Sequence, residues 1–158
     1  MMKRIAMTLM LLLGAAGQAL AANATPQASW EKECSACHVA YPARFLTAVD
    51  WERLMGHLDQ HFGDNASVDP ETAKAILGYL KHHAGSGSRH SAKSLRISDT
   101  SWFIHAHREL PRGAWANPAV KSASNCTACH VNAARGNWSE HGVRLPAGIR
   151  MEDEDEEE

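Results

Sequence analysis

The chain has 158 residues, 44% of them hydrophobic and 22% charged, with a formal net charge of −2. At about 150 residues per domain, this length allows one domain or two very small ones. The charge excludes the strongly basic surface typical of nucleic-acid binding, and no stretch is long enough for a membrane span in the mature chain.

Residues 1–21 have the pattern of a secretory signal peptide. Lys3 and Arg4 form a charged start, an apolar run follows over residues 5–13, and small residues lead to a cleavage site after Ala21. Cleavage at Ala24 is the second choice, and a retained N-terminal anchor is the alternative. The mature chain is therefore expected in the periplasm of a bacterial cell.

The first chemical motif follows at residues 34–38, Cys-Ser-Ala-Cys-His. C-x-x-C-H is the attachment signal for c-type haem. On a helical turn, Cys34 and Cys37 lie on one face and can form thioethers with the two vinyl groups of one porphyrin. His38 is then placed as the proximal iron ligand.

A helix is predicted over residues 51–62, because its apolar residues recur on one face. His61 borders this face at the helix end, where Gly63 acts as the stop, and is a candidate distal haem ligand. His57 lies further round and is more typical of a surface histidine.

A second helix is predicted from Asp69 as N-cap, with Pro70 at the first helical position, to about His83. His83 borders its apolar face and is the reserve ligand for the first haem, whereas His82 points towards solvent.

Residues 85–93 and 110–121 are predicted loops. His90 lies in the first loop, which is expected to be flexible, and is therefore a poor ligand candidate. Between the loops, residues 100–110 carry His105 and His107 beside an apolar face. His107 lies closer to that face, although the pattern alone does not decide between the two.

The second motif is Cys-Thr-Ala-Cys-His at residues 126–130, with Cys126 and Cys129 for attachment and His130 as proximal ligand. Three alternatives exist for paired C-x-x-C motifs. Structural zinc sites space them by about 15–20 residues, whereas 88 residues separate these pairs. A redox C-x-x-C motif needs a βαβ context, and no strand-rich pattern surrounds either pair. Simple disulfides do not explain why a histidine follows each pair.

Histidine is the expected distal ligand at both haems. Met55 is the one methionine left in the folded body once the leader and the tail-adjacent Met151 are set aside. Eight histidines are available besides the two in the motifs: His57, His61, His82, His83, His90, His105, His107 and His141. Because methionine raises the haem potential, two bis-histidine haems predict low potentials.

The chain ends in seven acidic residues, 152–158. Such a block is expected to be disordered, either as a solubilising end or as a docking element for a basic partner. Without leader and tail, 14 Lys and Arg against 11 Asp and Glu leave the body at about +3.

At four stretches the sequence resembles the small periplasmic dihaem cytochromes c called DHC. They are CSACHVAYPARFL (34–46), WERLMGHLDQHFGDNASVD (51–69), SWFIHAHREL (101–110) and SNCTACHVNAARGNW (124–138). The resemblance implies histidine on both faces of both irons, with His61 and His107 as distal ligands. It also implies electron delivery to an oxygen-binding c-type haem protein, with a membrane b-type cytochrome upstream.

The expected protein is mainly α, with short helices, long loops and an N-terminal half that resembles a reduced class I cytochrome c. We expect a first haem unit at residues 22–84, a linker at 85–94, a second haem unit at 95–150 and the tail at 151–158. The five tryptophans should pack around the haems. One-electron transfer without enzymatic activity is the expected function. The alternatives are a haem enzyme or ligand-binding protein with one open or labile iron position, and an electron-transfer subunit of a periplasmic reductase.

Overall fold

The computed structural model of the protein describes residues 24–151. The predicted signal peptide, with its cleavage site after Ala21, lies outside the described residues, as does the acidic block 152–158. Within residues 24–151 no helix is both long and apolar enough to cross a membrane.

The described chain is helical and contains no strand, which confirms the mainly α class. Its α-helices are α1 (Pro26–Cys34), α2 (Ala48–Met55), α3 (Pro70–His82) and α4 (Ser101–Ala106). Single 3-10 turns make up much of the rest: Ala43–Phe45, Leu58–Gln60, Ser88–His90, Ile97–Asp99, Ala114–Ala116, Cys126–Ala128, Ala133–Arg135 and Glu140–Gly142.

Helix α3 confirms the predicted start signals. The Asp69 carboxylate accepts a hydrogen bond from the Thr72 amide at 3.0 Å, and Pro70 occupies the first helical position. Proline fits there because its missing amide hydrogen would have no partner in the first turn. The helix ends at His82, one residue before the predicted end.

Helix α2 is shorter than the predicted helix over residues 51–62, and that prediction was wrong in its second half. The helix ends at Met55, and Gly56 rather than Gly63 is its C-cap. The Nδ1 atom of His57 lies 2.9 Å from the Arg53 carbonyl oxygen. The ring therefore competes for the carbonyl that would accept from the His57 amide if the helix continued. His61 therefore follows a separate 3-10 turn instead of closing a long helix.

Residues 24–84 have their own hydrophobic core. Helix α3 packs against both α1 and α2, and the buried side chains between these elements are Trp30, Ala43, Leu46, Trp51, Ile76 and Leu80. Leu46 is fully buried, and Ile76 and Leu80 are each 1% exposed. Burial of this apolar surface stabilises the first unit, and Ile97 from further along the chain packs against the same core.

The second unit contains one short helix and a smaller core. The Thr100 hydroxyl caps α4 by accepting from the Phe103 amide at 3.1 Å. Further along, the buried cluster comprises only Ala114, Val120 and Ile149. Most of the second unit consists of single 3-10 turns and irregular segments.

His90 and Ala92 are buried although most of segment 85–94 is exposed, so the description of His90 as part of a flexible loop was wrong. The Gly85 amide donates to the Leu46 carbonyl at 2.9 Å, and His90 is 8% exposed. A Cβ on Gly85 would collide with the Arg44 carbonyl and the His90 ring, so only glycine lets the segment pass this closely.

The two units meet through aromatic side chains. Phe45, 5% exposed, stacks on Trp102 at 4.8 Å between ring centres and meets Trp138 edge-on at 5.1 Å. The Tyr41 hydroxyl donates to the Ser124 carbonyl at 2.6 Å. These contacts bring the second attachment motif close to the first.

Candidate haem sites

The first site is formed by His38 and His61, whose ring centres lie 6.2 Å apart with an angle of 24° between the ring planes. His38 follows the turn after α1, and its Nδ1 lies 2.7 Å from the Val39 carbonyl. This contact fixes the ring and leaves Nε2 free to bind a metal. Tyr41 stacks on the His38 ring at 4.6 Å.

The second site is formed by His107 and His130, whose ring centres lie 6.1 Å apart with the planes at 73°. His107 is the C-cap of α4, and its Nδ1 lies 2.8 Å from the Phe103 carbonyl. Phe103 stacks on the His107 ring at 4.1 Å, and Trp115 meets it at 5.7 Å.

Both spacings fit a metal between the two rings. Two imidazoles that bind one metal through Nε2, each at about 2 Å, have ring centres about 6 Å apart. The rings of each pair are thus neither in contact nor too distant to share an iron. Within each attachment motif the cysteines lie just before the proximal histidine, so the chain offers two thioether positions beside each pair.

A cavity of about 830 Å³ adjoins the first pair. Its size falls within the range of about 300–1,000 Å³ typical of cofactor sites. Apolar side chains from the first core line one side, and Cys34, Cys37, His38 and His61 line another. Cys126 and Thr127 of the second motif also line it, so the two sites are adjacent.

Burial makes the Cys34 and Cys126 thiols poorly suited to thiolate chemistry. Burial, aided by the Glu33 charge, raises the pKa of the Cys34 thiol to about 11, and burial likewise raises the pKa of Cys126 to about 11. Thiolate ligands and redox thiols require the opposite shift, towards a lowered pKa. Among the described residues, no group of three or more His, Cys, Asp or Glu is arranged to hold a metal ion.

Burial favours the neutral form, which binds metals, at three of the paired histidines. Burial lowers the pKa of His107, and burial together with a neighbouring histidine lowers the pKa of His61 and of His130. The buried Nδ1 of His130 has no hydrogen-bond partner within residues 24–151.

The remaining histidines do not enter either pair. His57, His83, His105 and His141 are exposed, and so is His82. The His83 Nδ1 lies 2.9 Å from the Tyr79 carbonyl, on the outer side of α3. His90 is buried but stacks on Trp102 at 5.5 Å, and its Nε2 accepts from Arg89 at 3.1 Å. The buried role of His90 carried no signal in the sequence pattern.

The tryptophans surround the two sites unevenly. Trp30 and Trp51 line the first cavity. Trp115 contacts His107, Trp138 lies 5.7 Å from His130, and Trp102 packs on Phe45 at the interface between the units. Met55 lines the first cavity, but His61 is the side chain that faces His38.

Short helices around two C-x-x-C-H motifs, each with a facing histidine, define a small c-type cytochrome with two haems. The sequence model of the DHC dihaem cytochromes c matches residues 30–138. The chain belongs to this family, and its cofactors are two haem c groups.

Solved structures of dihaem cytochromes c are similar to this chain. One from Shewanella baltica OS155 is 39% identical, with a TM-score of 0.67, over 77% of this chain and 94% of that one. A DHC from Rhodobacter sphaeroides is 41% identical, with a TM-score of 0.60, over 68% of this chain and 93% of that one. A search of curated proteins gave no match.

Proposed function

We propose that this protein is a periplasmic electron carrier whose two covalent haems are each held between two histidines, His38 with His61 and His107 with His130. The observation that carries the proposal is the pair of imidazole spacings, 6.2 and 6.1 Å, each beside an attachment motif. With both faces of each iron occupied, no position is left for a substrate in the resting protein. We therefore propose a carrier rather than an enzyme.

Bound haem supplies one-electron chemistry by cycling between ferric and ferrous iron, and the chain sets its surroundings. Val39 and Phe103 orient one histidine of each pair through their carbonyls. Cys126 and Thr127, lining the first cavity, bring the second site against the first, which favours electron exchange between the two. Cys37 is exposed, so the first site reaches the surface on the attachment side.

The ligand assignment is tested by absorption spectra of purified variants. His61→Ala and His107→Ala should each convert one haem of two to high spin and allow carbon monoxide to bind there. His57→Ala and His105→Ala, which change exposed histidines, serve as matched controls and should keep two low-spin haems. Low-spin spectra in His61→Ala would shift the ligand to His83 or His57, and in His107→Ala to His105 or His141.

We propose a c-type haem protein that binds oxygen as electron acceptor and a membrane b-type cytochrome as donor, because the DHC resemblance implies both. Stopped-flow mixing of the reduced protein with such an acceptor tests this step.

If the acidic tail guides a basic partner, truncation after Arg150 should slow transfer at low salt, and the rates should converge as salt screens charges beyond about 8–10 Å. Equal rates at low salt would leave the tail a solubilising role.

A further inference from the structure

The distal histidines of the two sites differ in how firmly the chain holds them. The His107 ring is fixed by the Phe103 carbonyl at 2.8 Å and packed between Phe103 and Trp115. Within the described residues, no hydrogen bond fixes either ring nitrogen of His61. The His61 ring contacts Phe62 edge-on at 4.8 Å.

The turn that carries His61 is strained. Phe62 has φ +52°, in the left-handed region that an aromatic L-residue adopts at a cost, and Gly63 continues at φ +109°. The turn closes through the Asp64 amide, which donates to the His61 carbonyl at 3.1 Å. The Ala66 amide also donates to the Leu58 carbonyl at 2.8 Å, so two backbone hydrogen bonds hold the turn while Phe62 and Gly63 keep their positive φ.

One contact from the second unit holds the strained turn in place. The Arg96 guanidinium lies over the Phe62 ring, 4.3 Å from its centre. A cation over an aromatic ring attracts it electrostatically, even at an exposed site. Phe62 and Arg96 both line the first haem cavity, so this contact lies beside the site that His61 serves.

We propose that His61 is a releasable ligand, kept in place by Arg96 on Phe62, and that its position at the first haem is a binding site for small neutral haem ligands such as carbon monoxide. When the 61–64 turn relaxes, the bond from His61 Nε2 to iron breaks and one bond from the ligand carbon to iron forms. No electron or proton is transferred. His107 keeps the second haem closed.

This inference rests on the proposed bis-histidine ligation, and the same experiment separates the two. Spectra of the reduced protein before carbon monoxide is added report whether both haems are low spin. If one is already high spin, the proposed ligation fails. Carbon monoxide is then mixed in, and absorption reports how many haems bind it and how fast.

The reduced wild-type protein should bind one equivalent slowly, at a rate limited by His61 release. His61→Ala should bind one equivalent rapidly and lose the slow phase. If His61→Ala keeps a slow second equivalent, the releasable ligand is at the second haem and the proposal is overturned. The proposal is also overturned if carbon monoxide binds neither to the wild type nor to variants with substitutions at Arg96 or Phe62.

Two substitution pairs test the mechanism. Arg96→Gln removes the covering cation and should speed binding about two- to fivefold, the effect of one exposed cation–π contact. Arg112→Gln, at an exposed arginine of the same unit, should leave the rate unchanged. Equal rates in Arg96→Gln and the wild type would overturn the role of Arg96.

The strain is tested by Phe62→Ala against Phe62→Gly, since both lose the ring and only glycine accepts positive φ without cost. Phe62→Ala should bind about fivefold faster than Phe62→Gly, because alanine keeps the strain that favours release. The reverse order would show that the turn stores no strain that acts on His61.

Discussion

The first haem unit has the larger hydrophobic core, but the second holds its distal histidine more firmly. The first unit has three helices and a core of six buried side chains, whereas the second has one short helix and a cluster of three. Yet His107 in the second unit is bonded and packed, while His61 in the first lies on a strained turn. A large core therefore does not by itself make a rigid ligand.

The reason lies in what each histidine is attached to. His107 caps α4, and the Phe103 carbonyl that accepts from the His107 amide also lies 2.8 Å from the His107 ring nitrogen, while the Phe103 ring packs on the His107 ring. His61 follows a 3-10 turn, because α2 ends at Met55, and within residues 24–151 its ring makes no hydrogen bond. The position of one helix end thus separates the two sites.

The largest difference between the units should appear when each haem is removed. In Cys126→Ala/Cys129→Ala the second unit keeps only Ala114, Val120 and Ile149 as its buried cluster, so residues 110–150 should lose amide protection. In Cys34→Ala/Cys37→Ala, helices α1 and α3 should keep part of their amide protection, because the larger core of the first unit remains. Hydrogen exchange measured by mass spectrometry checks this, and equal loss in both variants would refute the contrast in cores.

The next largest effect is expected at the contact between the units. Phe45→Ala should lower the free energy of unfolding by about 3–5 kcal/mol, because it leaves a cavity between Trp102 and Trp138. Phe45→Leu keeps most of the volume and should cost much less. Denaturant titration measures both, and similar values for the two variants would show that the aromatic stack does not join the units.

A smaller effect is expected from His90, which is buried beside Arg89 and Trp102 in the segment that joins the units. Burial, aided by the Arg89 charge, lowers the pKa of His90 in the folded protein. The unfolded chain therefore binds the proton first, and the contribution present above about pH 6.5 is lost as pH falls through the folded pKa.

The thermal midpoint of the wild type should therefore fall from about pH 6.5 downwards. His90→Gln should flatten part of this decline, and the exposed His105→Gln should leave it unchanged. A decline of equal slope in His90→Gln and the wild type would assign the pH dependence to other groups.

The smallest expected difference between the two sites concerns their spectra and not their stability. The imidazole planes lie at 24° in the first site and at 73° in the second. Two iron d orbitals can interact with the π systems of the imidazoles. Near-parallel rings interact with the same one of these orbitals and so separate the two in energy. Near-perpendicular rings act on both and leave them close in energy. Electron paramagnetic resonance of the oxidised protein should show two low-spin signals, the more anisotropic from the second haem, and two identical signals would contradict the angles.

Local sequence determined the chemistry of this protein. The two C-x-x-C-H motifs fixed the cofactor class and number, because attachment and proximal ligation need only five consecutive residues. The start of α3 was equally local, since Asp69 and Pro70 act on their own first turn. The pairing of His61 with His38 and of His107 with His130 agrees with the ligands that the DHC resemblance implied, and stays a prediction for the variant spectra.

Only the tertiary structure decided what depends on residues distant in the chain. Helical periodicity continued past Met55, but the His57 ring took the Arg53 carbonyl and ended the helix. His90 sits in a Gly- and Ser-rich segment typical of a loop, yet Gly85 and Trp102 bury it. The adjacency of the two sites, through Tyr41 and Ser124, and the cover of Phe62 by Arg96 arise from packing between units, which no local pattern encodes.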